Sequence, residues 1–355
     1  MQSTADLNIP SIANATRSNS QSSTFVFVVA LLSCAVVAAT FASWLPLQVS
    51  IVTVFLFAGP HNWFELRYFL MRLPVRFGRS RNFFLTAFGG IGVLTTSYLT
   101  LPVIYKTGLL SSEAVIDSLA IWNTLLLIWI GSLVWLRSRQ KSQQKSKPDW
   151  SWTIPLFLAF GAFNWWKPQL FSLAIVYLHP IVALWFLDRH LARTRRNWLR
   201  PYRLCLLLLP VLLGAMIWKL SQTTPLADSN GLFWRITQHS GAELFPQVSS
   251  HMLVSVHLFL EMLHYGVWIF ALTLIGPASG RVNANRRVWD VMSIPFARHP
   301  RGFPQLVSLL LVVGVVVVVT LWAGFSFDYS TTRDLYFTIA IAHVLAEAPF
   351  LLRMM

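Results

Sequence analysis

Three glutamates in this chain each have a histidine four residues earlier: His61 and Glu65, His257 and Glu261, His343 and Glu347. With nine His in 355 residues, chance would put a His at that spacing before about one Glu in forty. A four-residue step places both side chains on one helix face, one turn apart. His264 extends the second pair, so that His257, Glu261 and His264 fall at i, i+4 and i+7. Its Glu-x-x-His step is the one that carboxylate-bridged metal sites use in helical bundles. His179 is followed by Pro180, a residue expected to kink the helix and free a carbonyl nearby. Imidazole with carboxylate suits non-haem iron, manganese or zinc, whereas a soft thiolate site is disfavoured because the two cysteines, Cys34 and Cys205, stand apart from these residues. His61, His179, His257, His264 and His343 are therefore the candidate metal ligands. Glu65, Glu261 and Glu347 are the candidate catalytic carboxylates, as ligands or as partners that orient the imidazoles. One ion fits better than two, because the Glu-x-x-His step occurs once and dinuclear bundles repeat it. Haem between facing histidines is disfavoured by the intervening glutamates.

The elements that must position these residues are set by composition. Hydrophobic residues make up 55% of the chain and charged residues 12%, against about 25% charged in an ordinary soluble domain. A soluble fold of this size could not cover so much apolar surface, and a disordered chain would not contain it. The fold class is an all-α, polytopic integral membrane bundle of about ten transmembrane helices. Apolar runs lie at 24–45, 48–73, 83–105, 117–136, 152–166, 168–188, 202–220, 250–276, 304–325 and 333–352. Most reach the roughly 20 residues a bilayer crossing needs, and 152–166 is the shortest. Residues 1–23 read as a flexible polar tail and 24–355 as one membrane domain. Gly89, Gly90 and Gly92 read as a close helix-packing face. The loop 221–248 reads as a lid or interfacial segment. The loop 277–303, with Trp289, Met292, Ile294 and Phe296 among its bases, reads as lying on the headgroups.

Charge placement orients the bundle. With the N-terminus inside, 23 of the 28 Lys and Arg fall in inside loops and tails, and Lys106, Lys167, Lys219, Arg235 and Arg333 remain outside. Both termini are thus expected on the cytoplasmic side. The net charge of +15 is explained by anionic membrane lipids rather than by nucleic acid. The His/Glu residues fall near the middle of the second, sixth, eighth and tenth runs, which this topology makes parallel. Carboxylates at that depth need pairing or coordination. His251 lies nearer the outer end of its helix; His190, His239 and His299 read as loop or interface residues. Asp188 is expected to pair with Arg189 or Arg193. Cys34 and Cys205 read as small buried hydrophobes without a disulfide.

The segment Gly59-Pro60-His61-Asn62-Trp63-Phe64-Glu65 resembles the early helix motif of the Brp/Blh family of membrane β-carotene dioxygenases. That family has a Pro-His-Gly step with an acid four residues after the His; here Asn62 stands in place of the Gly and Glu65 in place of Asp. The resemblance covers this motif and the scatter of histidines over several helices. It implies iron held by histidines in a multi-helix bundle, and it carries over to His61 and, more loosely, Glu65. The HxxxH and HxxHH boxes of membrane desaturases and the HExxH of zinc hydrolases are absent. The reading is a membrane non-haem oxygenase, with iron foremost and zinc or manganese as the other ions. Its substrate would be a carotenoid, another isoprenoid or a lipid; nothing in the sequence identifies an electron donor. The readings of another class are an ion- or proton-coupled transporter using the His/Glu pairs as a relay, and a purely structural polar core.

Overall fold

Prolines set several of the helix starts. Pro46, Pro168, Pro295 and Pro304 each occupy the first helical turn, where a missing N–H costs nothing. The structure, a computed structural model, describes residues 12–108, 111–141, 150–226, 231–275, 290–300 and 302–355. Among these every regular element is helical. In chain order they are α1 (Ile12–Trp44), α2 (Pro46–Arg72), α3 (Arg81–Lys106), α4 (Ser112–Lys141), α5 (Thr153–Trp166), α6 (Pro168–Thr194) and α7 (Arg196–Leu220). Then follow α8 (Gly231–His239), α9 (Ser250–Tyr265) with a π-helical turn at Gly266–Ala271, α10 (Leu272–Ile275), α11 (Pro295–Arg298), α12 (Pro304–Phe327) and α13 (Tyr329–Met354).

Each of the ten apolar runs folds as a helix, and among the described residues eight helices are long and apolar enough to cross a membrane. The other two fall short for different reasons. The 27-residue α2 carries Pro60, His61, Asn62 and Glu65 in its length. With 14 residues, α5 spans about 21 Å. It is tied in by a buried amide pair: Asn123 of α4 donates to Asn164 Oδ1 at 2.8 Å, and Asn164 donates to the Ala120 carbonyl at 2.8 Å.

The helices that carry the His/Glu residues are at the centre. Of the long apolar segments, Ser250–Ala271 has 67% of its apolar window buried, against 11–39% for the others. It packs on α1, α2, α6 and α7, while α13 packs on α2, α3, α6 and α12. Trp63 of α2 donates to the Leu311 carbonyl of α12 at 3.0 Å, fixing that pair of helices. On the side where α2 and α13 end, Tyr68, Phe69, Phe186, Trp268 and Phe350 form a buried aromatic layer, with Phe69 and Phe350 stacked at 4.3 Å.

Several readings need correction. Of the expected polar tail, residues 1–11 lie outside the described residues, and from Ile12 the chain is helical, because a helix already nucleated by an apolar span extends at little further cost. Of the three glycines read as a packing face, only Gly90 meets a neighbour: a Cβ there would collide with the Trp129 indole, whereas Gly89 and Gly92 face open space. Ile294 and Phe296 turn inward onto Trp63, Leu70, Val307 and Leu311 instead of lying on a surface. Trp289 and the bases Lys145, Lys147, Arg281, Arg286, Arg287 and Arg301 lie outside the described residues. Asp188 makes the expected ion pair with Arg189, at 3.9 Å, and a closer one at 2.8 Å with Arg203, which α7 brings back alongside α6.

Candidate metal centre

Four helices contribute donors. His61 and Glu65 come from α2, His179 from α6, His264 from α9, and His343 and Glu347 from α13. The four-residue steps act as expected on α2 and α13, stacking a carboxylate one turn below an imidazole. The donor atoms of His61, Glu65, His264 and His343 all lie within 4.8 Å of one another, as do those of His179, His264 and Glu347. The rings crowd together: His61 meets His264 and His343 edge to face at 5.3 Å between centroids, and His179 lies tilted against His264 at 4.5 Å. His61, Glu65, His264 and Glu347 are each at most 2% exposed.

Hydrogen bonds select which ring nitrogen faces inward. His61 Nδ1 lies 2.9 Å from the Phe57 carbonyl, an acceptor only, so Nδ1 carries the proton and Nε2 keeps its lone pair. His179 Nδ1 lies 2.9 Å from Glu347 Oε2, which does the same for His179 when the glutamate is ionised. His179 Nε2 then stands 3.1 Å from His343 Nε2. Two nitrogens bound to one ion at about 2.1 Å stand about 3.0–3.4 Å apart, so this pair is spaced as two ligands would be.

Many of the polar atoms of these groups are left over. Among the described residues, His61 Nε2, both Glu65 oxygens, both His264 nitrogens, His343 Nδ1 and Glu347 Oε1 have no hydrogen-bond partner. Buried polar groups are normally paired, and a buried carboxylate without a partner is costly. A divalent cation would satisfy most of these groups together, and the donors are of the imidazole and carboxylate kind that iron, manganese and zinc accept.

His257 and Glu261 do not join these groups. His257 precedes His264 by seven residues, about 10 Å of helix, which is too far for both rings to reach one ion. Instead His257 Nδ1 lies 3.7 Å from Glu261 Oε2, and its ring lies 5.1 Å from that of His239.

Both sets border one cavity of about 460 Å³, within the range of small-molecule pockets. His61, His179, His264 and His343 line one part of it. Trp234, Arg235, Gln238 and His239 of α8 line the other, with Arg333 and Asp334. Ile175, Val176, Phe337, Ile341 and Val344 supply apolar wall between. An Arg235–Asp334 ion pair joins α8 to α13 at this end.

Sequence reading missed His239, placed in a loop; it belongs to α8 and faces the cavity. Enclosure by protein, then His257 and Arg333, hold its imidazole well below the ordinary value, so the ring is neutral. Arg333 was legible only as an outside base. The other histidines do structural work. His190 Nδ1 meets Arg72 Nη2 at 2.9 Å, and His251 Nε2 lies 3.0 Å from the Ser43 carbonyl, linking α9 to α1.

Comparison of the chain with protein-family models, with curated proteins and with solved structures finds no match.

Proposed function

We propose that this chain is a multi-pass integral membrane metalloprotein, an iron-dependent non-haem oxygenase acting on a lipophilic substrate such as a carotenoid, another isoprenoid or a lipid. The observation that carries this reading is the set of unpaired imidazole nitrogens and carboxylate oxygens from four helices, converging at the base of a partly apolar cavity. Membrane embedding is supported by the outer surface, where Phe25, Leu158, Leu207, Val211 and Trp218 are each more than 60% exposed. The distribution of bases supports ten crossings with both termini cytoplasmic.

His61, His264, His343 and Glu65 would hold one ion, with His179 completing the set from α6. Glu347 positions His179 by accepting its Nδ1 proton. An apolar substrate offers C–H and C=C bonds rather than esters or amides, and an iron bound here would supply the O2 chemistry that such bonds require. The chain's own part is to fix imidazole orientation, keep the donors out of bulk water and seat the substrate against the apolar wall. The aromatic layer of Tyr68, Phe69, Phe186, Trp268 and Phe350 closes the site on the side away from α8.

Elemental analysis of the full-length protein, purified in detergent, tests this. About one iron per chain and substrate-dependent O2 uptake are expected. A metal-free protein that instead carries a pH-dependent flux in liposomes is a carrier, with the His/Glu pairs as its relay.

A further inference from the structure

Arg333 is a buried base at the α8 end of the cavity that has no salt bridge among the described residues. It sits in the first turns of α13, is 3% exposed, and borders the cavity. Its guanidinium lies over the Phe337 ring, 4.6 Å from the centroid. Its Nε has no hydrogen-bond partner, and it makes no salt bridge among the described residues. Asp334 is paired with Arg235, and Glu261, 3.7 Å from the His257 imidazole, acts on Arg333 only at longer range, without a salt bridge to it. A long basic side chain near a helix end ordinarily snorkels to water. This one is folded inward instead. A guanidinium without an anion or water is costly in such a place, and the cavity is where an anion can reach it.

We propose that the cavity takes a single-chain lipophilic carboxylate. Its head pairs with Arg333, and its apolar chain passes Phe337, Ile341 and Val344 to the histidines. Where the chain is attacked rests on the metal-centre reading; the binding of the head does not. Arg235 and Asp334 neutralise each other and His239 is neutral, so Arg333, the base without a salt bridge, is the one that can hold the head. A carboxylate matches it, whereas a phosphate monoester brings nearly two negative charges. Arg is also the side chain best shaped to hold a carboxylate through two parallel N–H bonds. From Arg333 to His343 is ten residues of α13, about 15 Å. With C–C bonds of about 1.5 Å in zigzag, that length is roughly a dozen carbons of extended chain. The carbons facing the histidines would therefore lie mid-chain in a long acid.

The test is binding of palmitate and of hexadecanol to the full-length protein in detergent, by calorimetry, with metal content measured on the same preparation. The wild type should bind palmitate at least tenfold more tightly than hexadecanol. Arg333→Gln should abolish that preference and Arg333→Lys should keep part of it, both with wild-type metal content. Equal affinity of the wild type for acid and alcohol overturns the proposal, as does a preference that survives Arg333→Gln. Displacement of palmitate by millimolar inorganic phosphate would mark a free-anion site and overturn it as well. Loss of the metal with the acid preference intact counts against the oxygenase reading and leaves this one standing.

Discussion

Glu347 Oε2 and His179 Nδ1 meet at 2.9 Å across the contact between α13 and α6. The bond does two things. It holds the His179 ring so that Nε2 points at His343 Nε2, and when Glu347 is ionised it places an anion behind the imidazole, raising its basicity as a ligand. Substitution of Glu347 by Gln keeps the shape and removes the charge. The expected result is a metal affinity lower by roughly 10–100-fold, read by chelator competition. Unchanged retention would assign Glu347 to packing alone.

His264 belongs to both groups of donors, and each of its ring nitrogens is unpaired among the described residues. His264→Ala should therefore leave the purified protein with far less than one metal per chain. His251, on the same helix, serves as the control, because its Nε2 is occupied by the Ser43 carbonyl. His251→Ala should keep wild-type metal content by elemental analysis, at some cost in thermal stability.

The four-helix convergence was legible because helical spacing is a local property that sequence reports directly. His61, Glu65, His343 and Glu347 obey it, and mid-run depth put them at the same level. Axial distance was equally available: a seven-residue step is about 10 Å, and it already separates His257 from His264. What sequence could not report was the return of a non-spanning helix. His239 and Arg235 sit on the nine-residue α8, whose place over the cavity depends on the Arg235–Asp334 pair and on packing against α9. Likewise Asp188 finds Arg203 because α7 folds back on α6, a contact that no local pattern encodes.

Close approach of α3 and α4 depends on Gly90, where any Cβ collides with the Trp129 indole, itself bonded to the Thr86 carbonyl at 2.9 Å. Gly90→Ala should destabilise by about 1–3 kcal/mol through overpacking. Gly89→Ala faces open space and should be within about 0.5 kcal/mol of wild type. Thermal unfolding in the same detergent separates them; equal Tm values would mean that the indole moves aside freely.

Asp328 caps α13, the helix that carries His343 and Glu347, by accepting from the Thr331 N–H at 3.1 Å. The Thr331 hydroxyl and N–H hold its carboxyl below the ordinary 3.8. A depressed value contributes stability above the unfolded pKa and loses it as pH falls through the folded one. Asp328→Ala should therefore lower Tm at neutral pH, with the difference narrowing as pH drops below 3.8. A gap that persists into acid would show that the carboxylate charge is not the source.

His257 provides the sharpest division between ligands and neighbours. It borders the same cavity as His264 and repeats the same His/Glu step as His61 and His343, so spacing alone gives it equal standing. Its contacts point elsewhere: to Glu261 at 3.7 Å, to the His239 ring at 5.1 Å and to the Tyr177 ring at 5.4 Å. Tyr177 is in turn fixed by the Ser240 carbonyl at 2.9 Å. This cluster shapes the cavity on the α8 side of the donors without reaching them. His257→Ala should keep wild-type metal content while weakening retention of whatever fills the cavity, so that KM rises more than kcat falls once a substrate is in hand. Loss of metal in this variant, with the protein still folded by thermal unfolding, would mean that the centre extends along α9 and that a second ion, rather than one, occupies the stripe from His257 to His264.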